Sequence, residues 1–266
     1  MSSPHLLITG YNGTVGSAVR ETAAARGMTV TGWDRHAAPP DDDAAGVRLL
    51  DAVRPDAVLH LAVPSAGTGR ANEGWLVNVH WTGRLAHLCR ERGMRFLYAS
   101  TVMVFTDKAR GPFGLDTLPD ATEGYGGEKR QGELAALAAN TDAVIARLGW
   151  QIGRAPGGNN MLTYLDQQMR EHGAIRVSRG FLPATAFVHD TAACLLGLLA
   201  PGHRGIYQLD SNDGWNLHQI VTALNRRHGE TWNVIATDDF TQNQRMLDNR
   251  PGMPVLSKTL PELTAM

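Results

Sequence analysis

Lysine and cysteine are scarce in this chain. Lysine occurs three times in 266 residues and arginine supplies the other 22 of the 25 basic residues. The formal net charge is −1 and the pI is about 6.8, so the sequence lacks the basic surface that nucleic acids or a membrane surface require. The cysteines, Cys89 and Cys194, show no metal-ligand spacing with histidine. We expect two buried thiols, a reducing compartment and no metal site.

Long apolar segments are also missing. The longest apolar run, Ala192–Ala200, is much shorter than the roughly 20 residues that span a bilayer. The first four residues lead directly into an apolar run without the pattern of a secretory signal. We therefore expect a cytoplasmic protein. Its 43% hydrophobic content is enough for one large α/β domain, or for a nucleotide-binding domain with a small lobe.

Strand-like and helix-like segments alternate through the first half of the chain. The predicted strands are Leu6–Thr9, Thr29–Trp33, Ala57–Ala62, Arg95–Ser100 and Ala143–Leu148, and the predicted helices are Thr14–Arg26, Ala44–Val53, Trp75–Arg92 and Tyr125–Ala139. This alternation predicts an α/β fold, a doubly wound parallel sheet whose ligands bind at the carboxyl ends of the strands. The short polar connection Ala37–Asp43 suggests that one strand of the usual nucleotide-binding fold is reduced or absent.

A glycine-rich loop follows the first predicted strand and opens the first helix. It consists of Gly10, Tyr11, Asn12, Gly13, Thr14, Val15 and Gly16. Glycines allow close approach of the backbone, and the helix start offers N–H groups and a favourable dipole to a pyrophosphate. The loop indicates a dinucleotide site in a Rossmann-type fold.

Asp34 and Arg35 follow the second predicted strand, 18 residues beyond Gly16. An acid in this position accepts hydrogen bonds from the adenosine ribose hydroxyls and favours NAD. The adjacent arginine can pair with a 2′-phosphate instead, so both NAD and NADP remain open.

The chain then divides into two predicted domains. Residues 1–148 form the NAD(P)-binding Rossmann domain, completed by about residues 186–210, which include a predicted strand at Gly205–Leu209. Residues 149–185 and 211–266, where glycine and proline interrupt the alternation, form a smaller C-terminal substrate lobe.

Tyr125 and Lys129 are the most informative pair. They lie four residues apart in a predicted helix and so share one face. A compact ammonium there lowers the cost of a phenolate, and the tyrosine could then exchange protons near neutral pH. Ser100 and Thr101 end the fourth predicted strand 24 residues before Tyr125. A hydroxyl and a phenol could therefore hold one carbonyl oxygen over a nicotinamide.

With these motifs the chain resembles the extended short-chain dehydrogenase/reductases, most closely the dTDP-4-dehydrorhamnose reductase family. The resemblance covers nearly the whole chain. Besides the glycine loop, Ser100-Thr101 and Tyr125 with Lys129, it includes Arg54-Pro55-Asp56, His60-Leu61-Ala62-Val63, Asn78, Val104-Phe105, Trp150, Asn159-Asn160 and Arg250-Pro251.

The resemblance implies roles for individual residues. Tyr125 would protonate the carbonyl, Thr101 would hydrogen-bond its oxygen, and Lys129 would also bind the nicotinamide ribose. The cofactor would be lined by Gly13, Thr14 and Val15 at the pyrophosphate and by Leu61, Ala62 and Val63 at the adenosine and ribose. Ser100, Trp150 and Arg250 would contact a nucleotide-sugar substrate, although Trp150 could equally be a core residue and Arg250 a surface one. The resemblance also implies a homodimer through the helices Trp75–Arg92 and Tyr125–Ala139.

Several positions depart from the family pattern. Val102-Met103 stands where the reductases usually carry Asp-Tyr, which predicts a less polar substrate side and excludes the Asp-Glu pair of a dehydratase. Glu128 replaces a Thr or Ser; we expect a solvated acid of the first helical turn, or a partner of Lys129 or Arg130. The loop Gly67–Asn72 lacks acidic residues, and the sequence stops soon after Pro261, before the family's last helix. The histidines, including His60, His80 and His189, form no cluster and are expected to serve packing or the surface.

Three functions follow as hypotheses. The first is NAD(P)H-dependent reduction of a keto group on a nucleotide-activated sugar, of the dTDP-4-keto-6-deoxy type, or on a related small ketone. The second is a sugar-nucleotide epimerase that retains NAD. The third is a dinucleotide-binding regulatory subunit without catalysis.

Overall fold

The computed structural model describes residues 3–64 and 72–265. The strands are β1 (His5–Thr9), β2 (Thr29–Gly32), β3 (Ala57–His60), β4 (Arg95–Thr101), β5 (Val144–Leu148), β6 (Trp150–Ile152), β7 (Ile175–Ser178), β8 (Phe181–Leu182), β9 (Thr185–Phe187), β10 (Gly205–Leu209), β11 (Val234–Thr237) and β12 (Gln242–Asn243). The helices are α1 (Thr14–Ala25), α2 (Asp43–Val53), α3 (Glu73–Trp75), α4 (Thr82–Glu91), α5 (Gly124–Ala139), α6 (Met161–His172), α7 (Val188–Gly197), α8 (Leu217–Arg227) and α9 (Leu256–Thr259). Of the loop Gly67–Asn72 only Asn72 lies within the described residues.

The central sheet has six parallel strands in the order β10-β5-β4-β3-β1-β2. Its inner strands β1, β3, β4 and β5 are almost entirely buried, as expected for a sheet covered by helices on both faces. This confirms the predicted α/β class. The sheet ends at β2, so the connection after β2 adds no further strand to it within the described residues.

Two apolar cores cover the two faces of this sheet. Leu97 and Ala99 of β4 belong to the core under α1 and α7, while Phe96 and Tyr98 belong to the core under α4 and α5. This division follows from the period of two in a strand. It places Ser100 and Thr101 on opposite faces, which decides their roles below.

A π-helical turn, Leu76–Trp81, interrupts the helix that was predicted to run unbroken over Trp75–Arg92. The wider turn leaves carbonyls to be satisfied by other groups. The Thr82 hydroxyl lies 3.2 Å from the Val77 carbonyl and 2.9 Å from the Asn78 carbonyl, and the Tyr98 hydroxyl donates to the Asn78 carbonyl at 3.0 Å. The turn thereby fixes Asn78, whose side chain reaches the candidate site.

Apart from α7 and β10, the residues after Gly149 form short strand pairs, β6 with β9, β7 with β11 and β8 with β12, packed with α6 and α8 around a third core. Side-chain caps start both helices: Asn160 accepts from the backbone of Leu162 and Thr163, and Asn216 and Gln219 form a capping box. None of the described helices has the length and apolarity needed to cross a membrane.

Candidate active site

Thr101 and Tyr125 lie at the carboxyl end of β4. The Thr101 hydroxyl oxygen accepts from the Met103 N–H at 3.2 Å, which leaves its O–H free to donate elsewhere. The first turn of α5 packs on the same segment, because a Cβ at Gly126 would collide with the Met103 carbonyl oxygen. The glycine therefore lets the start of α5, with Tyr125, approach the end of β4.

Lys129 is buried behind this pair, with 1% of its surface exposed. Its ammonium donates to the Ala99 carbonyl at 2.8 Å and lies 4.4 Å from the centre of the Tyr98 ring and 5.8 Å from that of Tyr125. Such a narrow site between strand and ring suits a compact ammonium better than a guanidinium. This is the physical reason for a lysine in a chain that otherwise uses arginine.

The pKa values of the pair differ from the sequence-based expectation that Lys129 would lower the pKa of Tyr125. Burial, reinforced by the Glu128 carboxylate, raises the pKa of Tyr125 to about 12. Burial lowers the pKa of Lys129 to about 7, against the opposing effects of Glu133 and Glu128. The raised pKa of Tyr125 keeps its phenol protonated at neutral pH, and 39% of the residue is exposed. A protonated and accessible phenol is in the state of a proton donor.

Glu128 is neither a fully solvated acid nor a partner of Arg130. Its carboxylate accepts from the Asn78 side-chain amide at 2.8 Å, and it lies so close to α3 that a Cβ at Gly74 would collide with it. Arg130 instead donates to the Ala121 carbonyl at 3.1 Å. Glu128 is thus a fixed negative charge beside both Tyr125 and Lys129.

Glu133 and Arg147 form a buried ion pair under the catalytic strand. Arg147 donates to both carboxylate oxygens, at 2.9 and 2.7 Å, and both side chains are at most 4% exposed. The Ser100 hydroxyl donates to the same carboxylate at 2.5 Å. The Ser100 side chain thus points into the α5 layer while Thr101 faces the other way, and the structure gives no support to the predicted substrate contact of Ser100.

Sequence reasoning missed this ion pair, although two signals were present. Glu133 stands four residues after Lys129 on the same helical face, and Arg147 is a charged residue inside an apolar strand. A charge in such a strand needs a buried partner.

The glycine loop is closely packed against the end of β3. Gly10 has φ +68°, and a Cβ there would lie 2.8 Å from the backbone of Leu61. Another Cβ, at Gly16, would collide with the Gly10 carbonyl. These two positions require glycine, and they bring the loop beside Leu61 and Ala62.

The buried His60 and the Thr9 hydroxyl hold the backbone at the end of β3 beside the glycine loop. The Thr9 hydroxyl oxygen accepts from the N–H groups of Leu61 and Ala62, at 3.1 Å each, and bonds His60 Nδ1 at 2.7 Å. Burial lowers the pKa of His60 to about 3, so the ring is neutral. The expectation of a packing role for His60 is confirmed.

The start of α1 fits a pyrophosphate. Gly13 caps the helix without a side-chain hydrogen bond, so its first N–H groups can face an anion. The buried Thr14 hydroxyl lacks a hydrogen-bond partner among the described residues. A cavity of about 290 Å³ opens here between Asn12, Gly13 and Thr14 and the segment Gly153–Asn160.

Asp34 and Arg35 occupy the predicted adenosine end. Asp34 is exposed, and its carboxylate accepts from the His36 N–H at 2.8 Å. Arg35 makes an ion pair with Glu73 at 3.0 Å. Of the other predicted cofactor residues, Val15 is partly buried against the core under α1 and α7, and Val63 is 47% exposed.

The predicted substrate residue Trp150 and the Val102-Met103 pair have different surroundings. Trp150 is partly buried at the start of β6, with its ring centre 5.3 Å from that of Tyr164, which is 46% exposed. Of the Val102-Met103 pair, Val102 lies in a core cluster and only Met103, 52% exposed, reaches the surface. Of the pair that predicted a less polar substrate side, only Met103 is therefore placed where a ligand could reach it.

Arg250, the other predicted substrate residue, lies in an ion pair beside the edge strand β10. Its guanidinium is bound to Asp248, at 2.8 Å twice, and to the Ile206 carbonyl at 2.5 Å. Ile206 lies in the edge strand β10, three residues before that strand ends, whereas ligands bind beyond strand ends. The ion pair explains this placement, and the structure gives no support to a substrate contact for Arg250.

A doubly wound sheet with a glycine loop after β1 and a tyrosine-lysine pair on α5 beside the end of β4 defines a short-chain dehydrogenase/reductase. The family model described as RmlD substrate binding domain matches residues 4–260. The chain therefore belongs to the RmlD family that this model describes.

Individual relatives agree with this placement. The chain is 30% identical over 226 residues to a dTDP-4-dehydrorhamnose reductase of Mycobacterium tuberculosis, covering 80% of this chain and 71% of the relative. It is 26% identical over 239 residues to methionine adenosyltransferase 2 subunit beta of Xenopus laevis, covering 84% and 71%. The crystal structure of a dTDP-4-dehydrorhamnose reductase from Bacillus anthracis in complex with NADP superposes with a TM-score of 0.83 over 99% of both chains at 18% identity.

Proposed function

We propose that the protein is an NAD(P)H-dependent reductase of a keto group on a nucleotide-activated sugar of the dTDP-4-keto-6-deoxy type, or on a related small ketone. The observation that carries this proposal is the placement of Thr101 and Tyr125 at the end of β4 with Lys129 buried behind them. The named activity of the mycobacterial relative supports the substrate class.

The chain's own residues provide the acid half of such a reaction. Tyr125, protonated at neutral pH because its pKa is raised to about 12, donates the proton to the carbonyl oxygen. The Thr101 O–H donates a second hydrogen bond to that oxygen, since the Met103 N–H already uses its acceptor side. The Lys129 ammonium stabilises the negative charge that passes to Tyr125.

The cofactor, when bound, supplies the hydride. The start of α1 would hold its pyrophosphate, Asp34 its adenosine ribose, and Leu61, Ala62 and Val63 would lie along the adenosine. The unpaired Thr14 hydroxyl and the uncapped N-terminus of α1 support this arrangement.

We propose residues 149–185 and 211–266 as the substrate lobe beside the cofactor domain of residues 1–148 and about 186–210. Trp150 and Tyr164 offer aromatic surface to a sugar or base. Met103 offers an apolar contact next to Thr101.

A homodimer through α4 and α5 is part of the proposal. Trp75 of α3, which precedes α4, and Leu134 of α5 are 52% and 55% exposed. A recess of about 440 Å³, lined in part by Val79, Gly83 and Ala135, lies between the helices. Light scattering that gave a monomer mass at micromolar concentration would contradict the dimer. The free thiols Cys89 and Cys194 are compatible with the proposed cytoplasmic location.

The test is Tyr125→Phe assayed with dTDP-4-keto sugars and both reduced cofactors. We expect kcat to fall about 10³-fold because the proton donor is lost, with cofactor binding retained. The control is Tyr207→Phe, which removes the hydroxyl that contacts His203 at the sheet edge. Equal activity of wild type and Tyr125→Phe would contradict the proposed reaction. Co-purification with another enzyme and indifference to Lys129→Ala would then favour the regulatory-subunit hypothesis.

A further inference from the structure

The buried network of Ser100, Glu133 and Arg147 takes no part in the proposed proton transfer. Ser100 is 4% exposed, and Glu133 and Arg147 are each 3% exposed. Ser100 and Arg147 are partners in the register of the neighbouring strands β4 and β5, so their side chains leave the sheet on the same face. Glu133 of α5 accepts one hydrogen bond from Ser100 and two from Arg147. A single carboxylate thus joins one helix to two strands.

The two partners of Glu133 provide different things. Arg147 supplies the positive charge that a buried carboxylate requires and donates to both of its oxygens. The ion pair is therefore complete without Ser100. The Ser100 hydroxyl adds no charge, but it is the contact that ties this pair to the strand of Thr101. We therefore regard the hydroxyl as a link between α5 and the catalytic strand.

This link is one of two anchors between α5 and β4. The Lys129 ammonium donates to the Ala99 carbonyl, and the Glu133 carboxylate accepts from the next residue, Ser100. The two anchors stand one turn apart on the helix and bind consecutive residues of the strand. The contact is also close, because a Cβ at Gly132 would collide with a carbonyl of the π-helical turn. Together these contacts fix the position of α5 along β4.

The proposed reaction depends on that position. Thr101 directly follows Ser100, and Tyr125 lies one turn before Lys129 on α5. Both hydroxyls must reach one carbonyl oxygen, and a misplacement of about 1 Å can cost about 100-fold in rate. A helix that kept only one of its two anchors would shift relative to β4 and lose this alignment.

We propose that Ser100 is a positioning residue, whose hydroxyl binds the buried Glu133 carboxylate and thereby keeps Thr101 and Tyr125 at the spacing that the reduction requires. The inference rests on the proposed function, because it concerns the same site. It goes beyond that function by giving a task to a side chain that faces away from the substrate, into the α5 layer.

Ser100→Ala tests this role, because it keeps the ion pair and removes only its link to β4. With the dTDP-4-keto sugar that the wild type reduces fastest, we expect kcat to fall about tenfold. KM should stay within about twofold, since no substrate contact is lost. The pH at which activity is lost should stay within about half a unit, since Ser100 carries no charge. Ser100→Thr, which restores a hydroxyl, should recover kcat to within about threefold.

Asn140→Ala is the matched control. Asn140 is 3% exposed, and its side-chain amide donates to the Ala86 carbonyl at 3.2 Å, so it anchors the opposite end of α5 against α4. This variant also removes a buried hydrogen bond of α5 and should lower the unfolding temperature. It should leave kcat within about twofold, because the catalytic end of the helix keeps both anchors. Equal falls in kcat for the two variants would reflect a general loss of stability and would overturn the inference.

Three results of the kinetics would also contradict the inference. A kcat of Ser100→Ala within about threefold of the wild type would show that the link is not needed. A rise in KM at unchanged kcat would make Ser100 a substrate contact. A shifted pH profile with an unchanged maximum of kcat would make its role electrostatic. Should Ser100→Ala not fold, Ser100→Cys, whose thiol is a weak donor, takes its place.

Failure of the proposed function is a separate outcome. If the wild type reduces no keto sugar, that function is wrong, and crystal structures of the wild type and Ser100→Ala then decide the positioning role. A displacement of Tyr125 relative to Thr101 of more than about 0.5 Å would support it, and a smaller one would overturn it.

Discussion

The two ends of the proposed cofactor site carry their charges in different environments. At the catalytic end, Lys129, Glu133 and Arg147 are 1%, 3% and 3% exposed. At the adenosine end, Asp34 is exposed and the Arg35 side chain is 30% exposed. Coulomb interactions are several times stronger in the interior than near solvent. The same residue types therefore carry different energetic weight at the two ends.

We therefore expect charges at the buried end to determine stability and catalysis, and charges at the exposed end to determine ligand preference. A charge removed from the buried end leaves its partner uncompensated, so stability and catalysis change together. At the exposed end, solvent screens the change, and cofactor preference can shift while the fold is retained. Three further variants test this contrast, in order of decreasing expected effect.

The largest effect is expected for Glu133→Gln. It leaves the Arg147 guanidinium buried without a carboxylate, which typically costs about 3–5 kcal/mol. The free energy of unfolding from urea titration measures it. The matched control is Glu262→Gln, whose ion pair with Arg227 is 28% exposed on both sides and should cost about 1 kcal/mol or less. Equal losses for the two variants would remove the contrast between buried and exposed charges.

An intermediate effect, on the pH dependence of activity, is expected for Glu128→Gln. Glu128 lies against Gly74 of α3, beside the catalytic helix α5. Activity that needs protonated Lys129 is present below its pKa of about 7 and is lost as the pH rises through it. Glu128 raises the pKa of Lys129, so its removal moves this loss to lower pH, by about one unit. The pH profile of kcat/KM measures the shift.

The side-chain amide that Glu128→Gln introduces can still accept from Asn78, so the fold is kept while the charge is removed. Glu123→Gln, which changes an exposed acid before the same helix, is the control and should leave the profile in place. A profile of Glu128→Gln that coincides with that of the wild type would show that Glu128 does not tune the pair.

The sequence predicted the strands of the central sheet well, because glycine loops and the alternation of strand-like with helix-like segments are local signals. The strand Gly205–Leu209 was predicted with its observed bounds. The short strand pairs of the lobe were not predicted, since segments of two to four residues carry no readable period.

The candidate site divides in the same way. The positions of Thr101, Tyr125 and Lys129 follow from spacing, but the ion pair of Glu133 with Arg147 joins a helix to a strand and depends on tertiary packing. The contact of Arg35 with Glu73 crosses 38 residues. Pairings of this kind, and the pKa values they set, cannot be obtained from periodicity alone.

The smallest effect on catalysis is expected for Arg250→Ala. The side chain of its partner Asp248 is 1% exposed and also accepts from the Gln208 N–H at 3.1 Å, so the change should destabilise the edge of the sheet by about 1–3 kcal/mol. Because Arg250 lies beside the middle of β10 and not beyond its end, KM for a nucleotide sugar should stay within about twofold of the wild type. Steady-state kinetics below the unfolding temperature measure this. A tenfold rise in KM at unchanged stability would show that Arg250 belongs to the substrate site. Besides buried charges and exposed charges away from the chemistry, the protein would then have a charge that is both exposed and part of that site.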